Sequence, residues 1–213
     1  MSESFYEIAF TPGVKEQQSE HGSRRQYERM ETALAGQNKL GPDEQQFISL
    51  RNSFYMASVS ETGWPYIQHR GGPPGFVHVL RPDLIGFADL RGNKQYISVG
   101  NLKHDDRVAL FFIDYPSQTR LKILGHVEIH EHDDLAPMLI EQFRTTEPNA
   151  IVERAILIHV SGFSFNCPQH ISQRYTLAEL ETALAPLHKR LAALEAENAK
   201  LRDRLKTSQL SPA

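Results

Sequence analysis

Three glycine-bearing segments set basic residues beside turns: Trp64-Pro-Tyr-Ile-Gln-His-Arg-Gly-Gly-Pro-Pro-Gly75, Gly86-Phe-Ala-Asp-Leu-Arg-Gly-Asn-Lys-Gln95 and Thr119-Arg-Leu-Lys-Ile-Leu-Gly125. Glycine lets backbone N–H groups approach an anion, and nearby Arg and Lys neutralise it. One such turn is a common surface feature, but three in one β-rich block suggest a phosphate-bearing cofactor. On a strand, Gln68 and Arg70 share one face and His69 takes the other, with Gly71 following. An amide and a guanidinium on a half-buried face suit a polar, anionic ligand. On spacing alone a surface salt bridge accounts for Arg70 equally well. From Ala88 and Asp89 to Lys94 a strand runs into a glycine turn, and a helix beginning at Asn93 would offer free N–H groups to a phosphate beside Lys94. The plain alternative is a turn capped by Asp89 or Asn93. Arg120 and Lys122 alternate onto one face of a strand, which in isolation reads as a solvated face.

These residues need a β framework to bring them together. Strands are predicted at Phe54–Ser60, Pro65–Arg70, Phe76–Leu80, Leu84–Ala88, Arg107–Asp114, Arg120–His130 and Ala155–Phe165, the first two forming a hairpin through Glu61-Thr-Gly63. Cys167-Pro168 is expected to end the last. Helices are predicted from Pro12 with Thr11 as N-cap, from Ser23 through Tyr27, Met30 and Leu34, and from Pro42 with Phe47 and Leu50 on one face. A further helix is placed over Asn93–Asn101, and another after Asp133 carrying Leu135, Met138, Leu139 and Phe143. About six short strands with tight turns and flanking helices fit a small barrel better than a doubly wound sheet. The expected divisions are a helical extension over 1–42, a barrel domain over 43–175 and a separate helix over 176–207.

That last helix follows a different rule. Thr176-Leu-Ala-Glu179 is a capping box. Leucines at 177, 184, 191 and 205 with Asn198 fill heptad a positions, and leucines at 180, 187, 194 and 201 fill d positions. The pattern is that of a leucine zipper, and a single Asn at an a position favours a parallel two-stranded register. Pro186 is expected to kink or restart the helix, placing the coiled coil proper from Leu187 to Leu205. The alternative is an amphipathic helix packed on its own domain, but the apolar seam is narrower than such a face requires.

The 213 residues carry a formal charge of −3, so no global basic field argues for nucleic acid, and no basic helix adjoins the zipper. No apolar run approaches a membrane span, and the N-terminus has no signal-peptide pattern. A lone cysteine, Cys167, excludes an internal disulfide or a cysteine-rich zinc site, and a reduced, cytoplasmic setting is expected. His126, Glu128, His130 and His132 share parity along one segment, but a metal needs ligands converging from several elements, so no metal site is assigned.

The order Pro65-Tyr-Ile-Gln-His-Arg70, Ile85-Gly-Phe-Ala-Asp89, Gly92-Asn-Lys94, Arg107-Val-Ala-Leu-Phe-Phe112 and Arg120–Gly125 resembles the pyridoxamine-phosphate-oxidase-like, FMN-binding split-barrel family. Phe10-Thr-Pro, Gly22-Ser-Arg24 and Cys167-Pro-Gln-His-Ile171 extend the likeness to a bacterial branch of that family. The resemblance implies a six-stranded split barrel, a homodimer, and FMN at the subunit interface. It further implies that Gln68, His69, Arg70 and Gly71 line the flavin and its phosphate, that Ala88 and Asp89 touch ring or ribityl chain, and that Asn93 and Lys94 hold the phosphate. By the same resemblance Arg120 and Lys122 reach the cofactor from the second subunit, and Gln169 and His170 close the cavity. The Ser-Arg-Lys signature of the true oxidases stands here as Gly92-Asn93-Lys94, and their C-terminal Arg-x-Arg segment with its tryptophan has no counterpart. The expected function is an FMN-dependent oxidoreductase acting on a small molecule other than pyridoxamine phosphate. The alternatives are a flavin-sensing module without turnover, or a haem- or deazaflavin-binding relative.

Overall fold

The structure, a computed structural model, describes residues 4–144, 150–165 and 169–209; Cys167 and Pro168 lie outside the described residues. The chain forms two compact units, Met1–Ile171 and Ser172–Ala213.

In the first unit, seven segments become strands, β1 and β6 with the clearest alternation of buried and more exposed residues: β1 (Ser53–Val59), β2 (Pro65–Gly71), β3 (His78–Arg81), β4 (Leu84–Leu90), β5 (Arg107–Asp114), β6 (Thr119–His130) and β7 (Val152–Phe165). They form one antiparallel sheet in the order β2-β1-β5-β6-β7-β4-β3. Seven strands are present among the described residues, where the resemblance implied a six-stranded barrel. The segment predicted at Phe76–Leu80 appears as β3, a four-residue edge strand whose pairing with β4 slips between Val79 and Arg81. Among the described residues no backbone ladder joins β2 to β3, so the sheet does not close by hydrogen bonding.

It is nevertheless rolled. Phe54 of β1 lies 5.3 Å from Phe87 of β4, although β5, β6 and β7 separate those strands in the sheet. Phe54 also stacks on Phe112 at 4.8 Å and Phe76 at 5.8 Å. Burying each such ring contributes on the order of 2 kcal/mol, and the inward rows of Met56, Leu110, Ile123, Ile156 and Ile158 complete the core. Ala88 belongs to a smaller cluster on the outer face, with Leu84, Leu139, Phe143 and Leu157.

Six helices flank the sheet. The sequence reading omitted α1 (Phe5–Ala9), where Ser4 and Glu7 cap each other reciprocally: Glu7 N–H donates to Ser4 Oγ, and Ser4 N–H to Glu7 Oε2 at 2.6 Å. It lies so near β7 that a Cβ at Gly162 would stand 2.3 Å from the Phe5 nitrogen. Helices α2 (Pro12–Glu20), α3 (Arg24–Ala33) and α4 (Pro42–Ser49) start where predicted, but Ser23 makes no side-chain cap and Leu50, beyond the end of α4, is exposed. Helix α5 (Ile97–His104) begins at Ile97 rather than Asn93, because Lys94 and Tyr96 have left-handed backbone, with φ of 60° and 53°. Asp133 Oδ1 accepts from the N–H groups of Leu135 and Ala136, both at 2.9 Å, ahead of α6 (Ala136–Gln142).

In the second unit, α7 (Leu177–Gln209) is a single helix that continues through Pro186, where a kink or restart was expected; it does not restart there. The Thr176–Glu179 capping box forms: Glu179 N–H donates to Thr176 Oγ1 at 3.2 Å, and Thr176 N–H to Glu179 Oε2 at 2.7 Å. Among the described residues no helix is long and apolar enough to cross a membrane.

Candidate functional site

Where the rolled sheet lacks backbone pairing, charged side chains bridge the split. On β2, Arg70 pairs with Phe54, Gln68 with Met56 and Tyr66 with Ser58, so all three share the inward face of β1. Asp89 continues the inward row of Ile85 and Phe87 on β4, and Arg154 continues that of Ile158 and Ile156 on β7. Arg70 donates to Asp89 Oδ1 at 2.5 Å and Arg154 to Asp89 Oδ2 at 2.6 Å. Arg154 reaches Glu131 at 3.1 Å and Glu153 at 3.2 Å through its other terminal nitrogen. Burial acts to lower the Arg154 pKa, but the bonds to Glu131 and Asp89 and their charges outweigh it and raise it. Arg91, 2.8 Å from Glu153, holds that carboxyl below its ordinary range.

Beside this network lies a cavity of about 280 Å³, walled by β2, the end of β4, the 91–96 loop, the first turn of α5 and the start of β7. Tyr66, Gln68, Arg70, Asn93, Lys94 and Arg154 bring their polar groups to it, and Leu90, Ile97 and Val99 supply apolar surface. The loop is held in strained left-handed conformations, each costing about 1–2 kcal/mol for a residue with a Cβ. Asn93 Oδ1 accepts from Gln95 N–H, and Tyr96 lies under the Arg154 guanidinium with 5.4 Å from Cζ to the ring centroid. A buried bond from Asn101 to Ser58 Oγ, 3.0 Å, fixes α5 against β1.

Charge marks the cavity as suited to an anion. The Nε atoms of Arg70 and Arg154 are buried from solvent without a partner, so they do not open onto it. Lys94 has no acidic partner among the described residues. Arg70 and Arg154 are already balanced by Asp89, Glu131 and Glu153, so they add little net charge, while Lys94 carries uncompensated charge.

Five of the predicted residues therefore meet in one place: Gln68, Arg70, Asp89, Asn93 and Lys94. The others are elsewhere in the chain. His69 points outward against Tyr55, ring centroids 5.5 Å apart. Gly71 and Ala88 line a separate cavity of about 190 Å³ with Phe76, His78 and Phe143. Arg120 and Lys122 lie on the outer face of β6, where Lys122 sits 4.7 Å from the Phe5 ring centroid and Arg120 Nε is buried without a partner. Burial, then the charge of Arg120, lowers the Lys122 pKa. Gln169 and His170 are exposed, with His170 at φ 65°. Tyr66, Tyr96, Glu153 and Arg154 were not singled out from sequence. The alternation of Arg154 with Ile156 and Ile158 is the signal that would have found the most buried of them. Among the described residues no group of three or more His, Cys, Asp or Glu side chains could hold a metal ion. Two histidines of the stripe are instead hydrogen-bonded to carboxylates, His126 to Asp106 at 2.9 Å and His130 to Asp133 at 3.0 Å.

A sequence profile described as pyridoxamine 5′-phosphate oxidase matches residues 40–167, more than half of the chain. Among solved structures, the chain is similar to a Lactobacillus delbrueckii protein provisionally called a pyridoxamine 5′-phosphate oxidase, with 28% identity over 60% of this chain and 94% of that one, TM-score 0.47. HupZ of Group A Streptococcus matches at 14% identity over 64% and 99%, TM-score 0.47. An FMN-binding protein of Syntrophomonas wolfei matches at 13% identity over 70% and 97%, TM-score 0.42. No curated protein matches the chain.

Proposed function

The chain belongs to the pyridoxamine 5′-phosphate oxidase family, and we propose on that premise that it binds FMN in the cavity between β2, β4 and the 91–96 loop and acts as an oxidoreductase on a small molecule. The observation that carries the reading is Lys94, a cation with no acidic partner among the described residues, in the wall of a cavity that Asn93, Gln68 and Tyr66 also line. The donor set fits the group. Lys94 and Asn93 would take the phosphate, Gln68 and Tyr66 the polar edge of the ring, and Leu90, Ile97 and Val99 its apolar face.

At about 280 Å³ the cavity is slightly smaller than the roughly 300–1,000 Å³ common for ligand sites. In this proposal one chain supplies one wall, and a second copy, in a homodimer with the cofactor at the subunit interface, supplies the other. When bound, flavin provides hydride or single-electron transfer. Lys94 and Asn93 would hold its phosphate, and Gln68, Tyr66 and the apolar side chains would orient its ring.

The test is the visible spectrum of the purified protein, followed by FMN titration and release of the bound chromophore. The proposal predicts a two-banded flavin spectrum with FMN released, and reoxidation of dithionite-reduced flavin by a small acceptor. A sharp Soret band, or failure to bind added FMN, overturns it. Flavin that binds but stays inert to acceptors removes the oxidoreductase part alone.

A further inference from the structure

The second unit carries a surface that flavin chemistry leaves unused. Eight leucines of α7 fall at heptad a and d positions and are between 41% and 80% exposed. A continuous apolar seam of that length in water calls for a covering partner. The charges beside the seam identify it. With Leu191, Asn198 and Leu205 as a positions, Arg190 and Glu197 occupy g, while Glu195 and Arg202 occupy e. Among the described residues none of these four has an ion-pair or hydrogen-bond partner within the chain.

We infer that α7 pairs with α7 of a second copy of this chain as a parallel, in-register two-stranded coiled coil from Leu187 to Leu205. In that arrangement each g residue faces the e residue five positions on in the other helix. Arg190 then meets Glu195, and Glu197 meets Arg202; both pairs are of opposite sign, and the two-fold axis repeats each one. Asn198 meets Asn198 across the axis, where the two amides satisfy each other. Antiparallel pairing would set a positions against d positions, burying the Asn198 amide against leucine with no acceptor. Pro186 takes a c position, on the side of the helix away from the seam and ahead of the coil. The helix runs through it unbroken, so it does not obstruct the pairing.

The experiment uses the full chain in a Cys167→Ser background, with single cysteines introduced as Asn198→Cys at the seam and Ala196→Cys at an f position on the far side. Disulfide formation under mild oxidation is read on a non-reducing gel. The inference predicts that Asn198→Cys dimerises at least tenfold faster than Ala196→Cys, since both share the same local concentration but only the seam faces its copy. Adding Arg190→Glu slows the cross-link by setting like charges opposite each other, and Arg190→Glu with Glu195→Arg restores it. Equal rates at 196 and 198, no cross-link at 198, or no rescue by the double charge swap each overturns the inference. The outcome is separable from flavin binding. A flavin-free protein that cross-links at 198 leaves this interface standing, and a flavin-bound protein that does not removes it alone.

Discussion

Asp89→Ala tests whether the charged network holds the split in the barrel. The Asp89 carboxylate is 4% exposed and accepts from Arg70 and Arg154, whose side chains are 17% and 5% exposed. Removing it leaves two guanidiniums without the carboxylate they share. Breaking a buried ion pair from one side costs about 3–5 kcal/mol. Arg154 retains Glu131 and Glu153, and water reaches Arg70 at the rim, so the low end applies: about 3 kcal/mol. For a domain of this size that lowers the melting temperature by roughly 6–12 °C. Equilibrium urea unfolding at pH 7 measures the difference directly. The companion variant Arg70→Met/Asp89→Val/Arg154→Met replaces the trio with apolar side chains closer to it in volume. It returns stability to within about 1 kcal/mol of the native protein, while FMN affinity is lost. An Asp89→Ala protein as stable as the native one would refute the role assigned to the network.

Burial holds the His78 imidazole below its ordinary value of 6.5. The unfolded chain therefore binds a proton there more readily than the folded one, and stability present above pH 6.5 is lost as the pH falls. His78→Gln is expected to flatten the unfolding free energy between about pH 6.5 and pH 5, and an unchanged slope would count against it. Gly162→Ala would drive a methyl group into the backbone at Ser4 and Phe5, at a cost of about 1–3 kcal/mol. Hydrogen exchange should show residues 4–10 losing protection before the sheet does. Unaltered protection there would mean that α1 can shift at no cost.

Much of the barrel was legible because half-buried strands announce themselves by period two. Met56 and Phe54, or Leu121 and Ile123, alternate with outward residues whatever the surrounding loops do. The convergence of Gln68, Arg70, Asp89 and Lys94 was legible in part, since strand parity put the first two on one face and a glycine turn put the last at a strand end. Which face was inward depended on the rolling of the sheet, a tertiary property that β2 alone does not encode. Arg154 was missed because Glu153-Arg154 reads as a polar loop, and only the pairing of β4 with β7 makes the arginine a buried partner of Asp89. The five residues of α1 are too few to show a helical period, and its Ser4–Glu7 box was passed over. The 93–96 segment was read as helix because Lys94 and Tyr96 carry no sequence mark of left-handed backbone. Gly92, which could adopt it freely, does not appear among the positive-φ glycines.

The central claim is that the cavity recognises the FMN phosphate through Lys94. Lys94 has no acidic partner among the described residues, so its removal strands no counter-charge, unlike removal of Arg70. A charge-assisted hydrogen bond contributes roughly 1.5–3 kcal/mol, which is at least about a tenfold change in affinity. The decisive measurement is the dissociation constant of FMN and of riboflavin, each for the native protein and for Lys94→Ala, by quenching of flavin fluorescence. The account predicts that native protein prefers FMN and that Lys94→Ala weakens FMN tenfold or more while leaving riboflavin unchanged. Equal affinity for the two flavins in the native protein, or an FMN preference that survives Lys94→Ala, would contradict it.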